Sequence, residues 1–191
     1  MKREDVKELH YITPIENLPS IAARGILSHK RAERVEHLSV AMDEIQARRT
    51  NKVVPNGRPL HDYVNLYFDA RNPMLYLRLD QHAEICVLRV DSSVAELLGV
   101  VMTDRNASSD YVRFHRYPEG LRFIDSEVVY AEYWTHPDDP IWEMEHKSKK
   151  CAEVLVPDMI KPEYIMGGYV SCSQAQSICS MTTATISATI N

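Results

Sequence analysis

Glu153 heads a short apolar run, Val154-Leu155-Val156, that Pro157 stops and that Lys147, Lys149 and Lys150 precede. Branched aliphatic residues closed by a proline read as a strand. A carboxylate at its entry is costly to desolvate, so it either pairs with a neighbouring lysine at a strand edge or has a chemical task. Pattern alone leaves both open. Three further groups raise the same question. His10, Tyr11 and Thr13 sit where a short strand would turn into a helix, a place where free backbone amides meet anions. Arg48 and Arg49, followed by Lys52 and Arg58, close a helical stretch, as a solvated face that complements the helix dipole or as an anion-holding pair. His61, Asp62 and Tyr63, with Tyr67, Phe68, Met74 and Tyr76, form either a core strand with aromatic edges or the wall of a ring-binding pocket.

Other chemistries find little support. His61 and Asp62 lack a Gly-x-Ser-x-Gly elbow, and Cys151 has no nucleophile motif beyond its lysines. Without Gly-x-Gly-x-x-Gly or a Gly-Lys-Ser/Thr loop, a Rossmann or P-loop nucleotide site is not expected. No His or Asp pair stands at ligand spacing in one element, and the four cysteines contain no Cys-x-x-Cys pair, so free thiols are expected and no metal.

The elements that must position these groups follow from pattern. Leu9 to Ile12 reads as a strand. Thr13-Pro14-Ile15-Glu16 announces a helix by a capping box, with Gly25 as its left-handed end and a kink expected at Pro19. A helical stretch runs from Val40 to Arg49, a loop over 53–59, and a strand over Leu60–Phe68. Glu84–Val90 is nearly continuous in apolar residues and reads as a central strand. Asp91-Ser92-Ser93 caps a short helix, Val94 to Leu98, and Val100–Thr103 returns as a strand. The stretch 105–150 mixes charge, aromatics and prolines, with one helix near Ser126–Trp134. The Glu153 strand and Tyr164–Val170 complete about six strands, which do not alternate regularly with helices. That predicts an α+β fold. The Ser/Thr-rich tail from Ser171 is expected to be disordered or only partly folded.

Length fits one domain: 191 residues support a sizeable core but not two comfortable units. A formal net charge of −5 argues against unspecific coating of nucleic acid, though a local basic groove stays possible. The charged start has no apolar stretch after it, as a signal peptide would, and no uncharged run approaches the roughly 18 residues of a membrane span. A cytoplasmic protein with no membrane partner is expected.

Taken in order, the pieces carry more than any one alone. His10-Tyr11-Ile12-Thr13 precedes Ile15-Glu16-Asn17-Leu18 and Gly25-Ile26-Leu27; Ile45-Gln46-x-Arg48-Arg49 precedes Leu60-His61-Asp62-Tyr63-Val64 and Tyr67-Phe68; Asn72-Pro73-Met74-Leu75-Tyr76, Thr103-Asp104-Arg105-Asn106 and Ala152-Glu153-Val154-Leu155-Val156 follow. Over residues 9 to about 170 this series resembles the DarT family of DNA ADP-ribosyltransferase toxins. It departs from the family at two places: His10 precedes Tyr11 where Tyr-His is usual, and Cys151 stands where Gln is common.

The resemblance implies a single ADP-ribosyltransferase domain of the poly(ADP-ribose) polymerase type over 1–170. Its split antiparallel sheet would clamp NAD⁺, the ADP-ribose donor. The expected activity is transfer of ADP-ribose to a base in single-stranded DNA, most often thymine at its ring nitrogen. A DarG-like macrodomain antitoxin would remove the mark. Glu153 would be the catalytic glutamate and Arg49 the functional arginine. His10, Tyr11, Ile12 and Thr13 would hold the nicotinamide end, Ser20 and Ser28 the ribose and phosphates, with Tyr67 and Met74 completing the cofactor set. Residues 33–51 would close over NAD⁺, and 107–153 would be the substrate-binding loop. Candidate DNA contacts are Arg48, Arg71, Arg113, His115, Arg116, Lys147, Lys149 and Lys150, with Lys52 and Arg58; Tyr111, Phe114 and Tyr117 are interleaved as stacking platforms. Modification of guanine, RNA or protein is the enzymatic alternative, and an inactive NAD-independent binding module is the other.

Overall fold

A computed structural model describes residues 1–39 and 42–182. Its centre is a seven-stranded antiparallel sheet in the order β6-β5-β7-β3-β1-β4-β9. The strands are β1 (Glu8–Pro14), β3 (Tyr63–Tyr67), β4 (Ile85–Asp91), β5 (Val101–Thr103), β6 (Phe114–Arg116), β7 (Glu153–Pro157) and β9 (Ile165–Val170). Two two-residue strands, β2 (Ile26–Leu27) and β8 (Met159–Ile160), pair separately. The helices are α1 (Leu18–Arg24), α2 (His29–Ala32), α3 (Asp43–Thr50), α4 (Pro73–Tyr76), α5 (Ser126–Val129), α6 (Pro140–Lys150) and α7 (Ser173–Thr182). The fold is α+β, as the pattern of elements predicts.

The sheet is split in the middle. β1 pairs with β4 along its whole length, from Glu8↔Asp91 to Pro14↔Ile85, and β3 pairs with β7 from Tyr63↔Pro157 to Tyr67↔Glu153. Between β1 and β3 there is one register pair, His10↔Tyr67. Beyond it the two strands diverge, and the gap between them becomes a cleft. Strand alternation then sorts side chains. Val64 and Leu66 enter the main core with Val154, Val156, Leu9 and Val90. Tyr67, on the opposite face, joins Ile12, Ile85, Val87 and Cys151 in a smaller apolar cluster that Met74 and Leu75 of α4 cover.

Several local expectations change. Thr13 caps no helix: β1 continues through it to Pro14, and a 3₁₀ turn, Ile15–Asn17, intervenes before α1. Pro19 therefore falls in the first turn of α1, where its missing N–H has no partner to lose, and no kink results. Gly25 does end α1 in the left-handed region, at φ 82°; a Cβ there would stand 2.1 Å from the Ile160 carbonyl oxygen. Leu60–Asp62 is a 3₁₀ turn, and β3 starts only at Tyr63. The apolar segment at Met74 is the short helix α4, whose N-cap Asn72 accepts from the Leu75 N–H at 3.1 Å. The Val94 helix is a 3₁₀ stretch over Ser92–Glu96.

The stretch 107–153 is less irregular than expected, since it carries β6, α5 and α6. Of the tail, Ser173–Thr182 folds as α7, whose Ala175 is buried against the main core. Residues 183–191, and Val40 and Ala41 of the predicted helical stretch, lie outside the described residues. Among the described residues no helix is long and apolar enough to cross a membrane.

Candidate active site

Glu153 is the first residue of β7 and is fully buried. Its surroundings are polar and complete. Arg49 Nη1, from the last turn of α3, donates to Oε1 at 3.2 Å and to Oε2 at 3.0 Å. The backbone N–H of Ala107 donates to Oε1 at 2.8 Å. Thr103, at the end of β5, fixes the backbone: the Glu153 N–H donates to its Oγ1 at 3.0 Å, and that hydroxyl faces the Glu153 carbonyl at 3.4 Å. Ala107 is aimed by its neighbour. Asn106 donates its N–H to the Ser148 carbonyl of α6 and accepts from Ser108 through its side chain, bending the chain so that the next amide points at the carboxylate.

Through Arg49 this pair borders a cleft with a volume of about 1120 Å³. Its walls come from both halves of the split sheet and the helices around them: Tyr11, Ile12 and Thr13 of β1, Ser20 of α1, Arg48 and Arg49 of α3, Asn65 and Tyr67 of β3, and Met74 of α4. Arg49 faces the cleft whereas Glu153 lies behind it. The ring groups are not poised to ionise. Burial pushes the Tyr11 phenol up to about 12. The Tyr67 phenol is raised well above its ordinary value by burial and then by the Glu153 charge opposite it. Burial, with Glu153 next, pushes the Cys151 thiol up to about 12, which removes it as a nucleophile.

Not every expected cofactor residue reaches the cleft. His10 turns away: Nε2 meets Glu8 Oε1 at 3.0 Å, and the ring lies 6.2 Å from that of Tyr169. Of the two rings in the opening motif, Tyr11 is the one on the cleft wall. Ser28, at the N-cap of α2, is buried with its N–H on the Asp158 carbonyl, outside the wall.

The basic candidates divide similarly. Arg48, Arg113 and Lys147 line the cleft, and exposed Tyr111 stands at its rim. Arg71 is exposed outside it, at 4.0 Å from Glu132. His115 and Arg116 are on β6, one of the two edge strands of the sheet, where the His115 ring stacks on Phe123 at 3.9 Å. Lys149 pairs with Glu145 at 2.8 Å and lies over Trp142.

Lys150 is a correction. Its ammonium is fully buried and donates to Asp69 Oδ2 at 2.7 Å, the Val129 carbonyl at 2.9 Å and the Ala131 carbonyl at 2.7 Å, tying α6 to α5 and the end of β3. It has no proton left for DNA. Lys150→Met should lower the urea midpoint by the equivalent of about 3 kcal/mol, because Asp69 and two carbonyls lose their donor. Oligonucleotide affinity per folded molecule should not change. An unchanged midpoint with weakened DNA binding would restore the original reading.

Two groups were beyond residue-type reasoning. The Ala107 amide is backbone, so no side-chain pattern marks it. Thr103 belonged to a noted motif without any sign that its hydroxyl would clamp the Glu153 backbone. Among the described residues no group of three or more His, Cys, Asp or Glu is arranged to hold a metal ion.

Comparison with known proteins gives a consistent result. A family model described as "ssDNA thymidine ADP-ribosyltransferase, DarT" matches residues 10–189, reaching beyond the span of the sequence resemblance into the tail. A DNA ADP-ribosyl transferase of Thermus aquaticus is 34% identical over 168 residues, covering 82% of this chain and 72% of the relative. A transferase–glycohydrolase fusion protein of Thermosipho africanus is 35% identical over 178 residues; this covers 90% of the chain but 44% of the fusion. The solved structure of Thermus sp. 2.9 DarT in complex with ADP-ribosylated ssDNA superposes with a TM-score of 0.83 at 28% identity, covering 100% of this chain and 95% of that one. The same protein in complex with NAD⁺ superposes with a TM-score of 0.79 at 26% identity, covering 98% and 92%.

Proposed function

Because this chain belongs to the DarT family of single-stranded-DNA thymidine ADP-ribosyltransferases, we propose that its cleft binds NAD⁺ and transfers ADP-ribose to thymine in single-stranded DNA, releasing nicotinamide. The observation that carries this reading is the buried Glu153–Arg49 pair bordering a cleft formed by a split sheet. As the ribose–nicotinamide bond breaks, nicotinamide leaves with the bonding pair and positive charge develops on the ribose, as in glycosidase transition states. Glu153 stabilises that charge and orients a ribose hydroxyl. The thymine ring nitrogen loses its proton to become nucleophilic and forms the new bond to the same ribose carbon.

Arg49 holds the NAD⁺ phosphates or the thymine carbonyl, and the latter contact eases proton loss. Either ligand would draw the guanidinium toward the cleft and uncover the carboxylate behind it. Tyr11, Ile12, Thr13, Ser20, Tyr67 and Met74 form the donor's walls, with 33–51 as the closing element. The region 107–153 carries the DNA side. There Arg113 and Lys147, with Arg48 reaching from the closing element, supply local positive charge despite the net −5, and Tyr111 offers a ring to an unstacked base. The biological reading is a toxin that blocks replication in the cytoplasm, countered by a DarG-like glycohydrolase that removes the mark.

Incubation with labelled NAD⁺ and single-stranded DNA, RNA or protein in parallel tests this. Label should enter DNA alone and fall steeply as salt is raised, since phosphate contacts release counterions. Label in RNA or protein instead of DNA, or in none of the three, would contradict it.

A further inference from the structure

Asparagine is among the best residues for capping a helix, and Asn17 holds the N-cap position of α1, yet its side chain makes no capping bond. The amide reaches away from the helix instead. Its Nδ2 donates to the Leu38 carbonyl at 2.7 Å and to Thr13 Oγ1 at 3.2 Å, and its Oδ1 accepts from the Leu38 N–H at 3.0 Å. One side chain thus takes both backbone groups of Leu38, as a strand neighbour does across an antiparallel rung, and joins them to the end of β1. Thr13, Asn17 and Leu38 all line the cleft.

The two sides of this clasp differ in firmness. Asn17 ends a turn whose Ile15 is buried in the main core and donates its N–H to the Glu84 carbonyl at 2.8 Å. The next residue, Leu18, is buried in the same core. The stretch 33–39, by contrast, contains no helical or strand residue beyond α2, and Leu38 is 52% exposed. Burial does little to hold such an arm, so polar bonds decide where it lies. Val35 and His37, which also line the cleft, bond locally: the Val35 N–H donates to the Ala32 carbonyl, and His37 Nδ1 to the Val35 carbonyl. Asn17 ties the arm to the core across 21 residues of chain.

We infer that Asn17 is a positioning residue that clasps Leu38 against Thr13 and so holds the arm 33–39 closed along the nicotinamide end of the donor. The inference rests on the reading of the cleft as an NAD⁺ site with Thr13 in its wall. Asn17 sets the fraction of molecules whose arm is in place before the donor arrives. A site that is complete only part of the time binds in proportion to that fraction. Once NAD⁺ is bound, its own contacts keep the arm down, and the chemical step runs at nearly its ordinary rate.

Asn17→Leu keeps the shape of the side chain and removes its bonds to Leu38 and Thr13 without taking a cap from α1. Initial rates of transfer over a range of NAD⁺ concentrations should show KM for NAD⁺ raised on the order of 10-fold and kcat changed by less than about threefold. Hydrogen exchange of the protein without donor should quicken by about 10-fold over 33–39 and stay unchanged in β1 and β4. Asn17→Gln, with the same groups on a longer stem, should recover part of both effects. Asn17→Ala should reproduce both, and serves if leucine crowds the turn and prevents folding. A folded variant with KM and exchange as in the unaltered protein would overturn the inference and leave the NAD⁺ site intact. So would a loss confined to kcat, the mark of a group acting on the reacting atoms. Absence of NAD⁺-dependent transfer by the unaltered protein would overturn the reading beneath the inference together with it.

Discussion

Glutamine at position 153 should slow ADP-ribose transfer to single-stranded DNA by about 10³-fold or more, the scale lost when a positioned charge or acid–base group is removed from a reacting centre. The substitution is chosen for its shape. Glu153 is fully buried, and glutamine keeps an oxygen for the Ala107 N–H as well as both backbone contacts to Thr103. What it removes is the negative charge that would face the ribose. Initial rates of label transfer, with thermal melting as the check on folding, separate the two readings of this residue. A strand-edge carboxylate that merely pairs with a cation would leave the rate close to that of the unaltered protein.

Arg49→Ala should abolish transfer and also destabilise the fold by roughly 3–5 kcal/mol, the usual cost of leaving one partner of a buried ion pair uncompensated. Arg49 is 6% exposed and Glu153 0%, so solvent does little to screen what remains. The cost should depend on Glu153. In a Glu153→Gln background, removing Arg49 strands no carboxylate, and the stability loss should shrink to about 1 kcal/mol. Denaturant melts of the two single variants and the double variant measure that coupling. Additive losses would mean that the 3.0 Å contact contributes little to either side chain. A solvated arginine ending a helix, the alternative allowed by pattern, would lose neither activity nor stability.

The sheet halves were legible where burial is two-sided and the run apolar. Ile85–Asp91 and Glu153–Pro157 fall within one residue of the expected strands, and both lie inside the sheet. Gly25 also read correctly, because its backbone and the Ile160 carbonyl leave no room for a side chain. Polar, one-sided elements were harder. α6 buries His146 and Lys150 along 11 residues, too little for an apolar stripe. Its start was nonetheless written in Asp139-Pro140, where the aspartate accepts the Trp142 N–H at 2.9 Å. The two-residue strands β2 and β8 are set by each other and not by local preference.

At the site, residue types pointed to Glu153 and Arg49 only as one of two readings each, and the ordered resemblance chose between them. Their contact across 104 residues of chain is a product of the fold, as is the Ala107 amide. Lys150 shows the opposite failure. A lysine ending a basic run reads as exposed, yet three oxygens brought together by β3, α5 and the chain beyond it bury its charge.

The central claim is best tested by intact-mass measurement of two oligonucleotides after incubation with NAD⁺, one carrying a single thymine and the other identical but thymine-free. With the unaltered protein the thymine-bearing strand alone should gain the mass of one ADP-ribose, and with Glu153→Gln neither should. Equal gain on both strands, or full gain from the Glu153→Gln protein, would contradict the account.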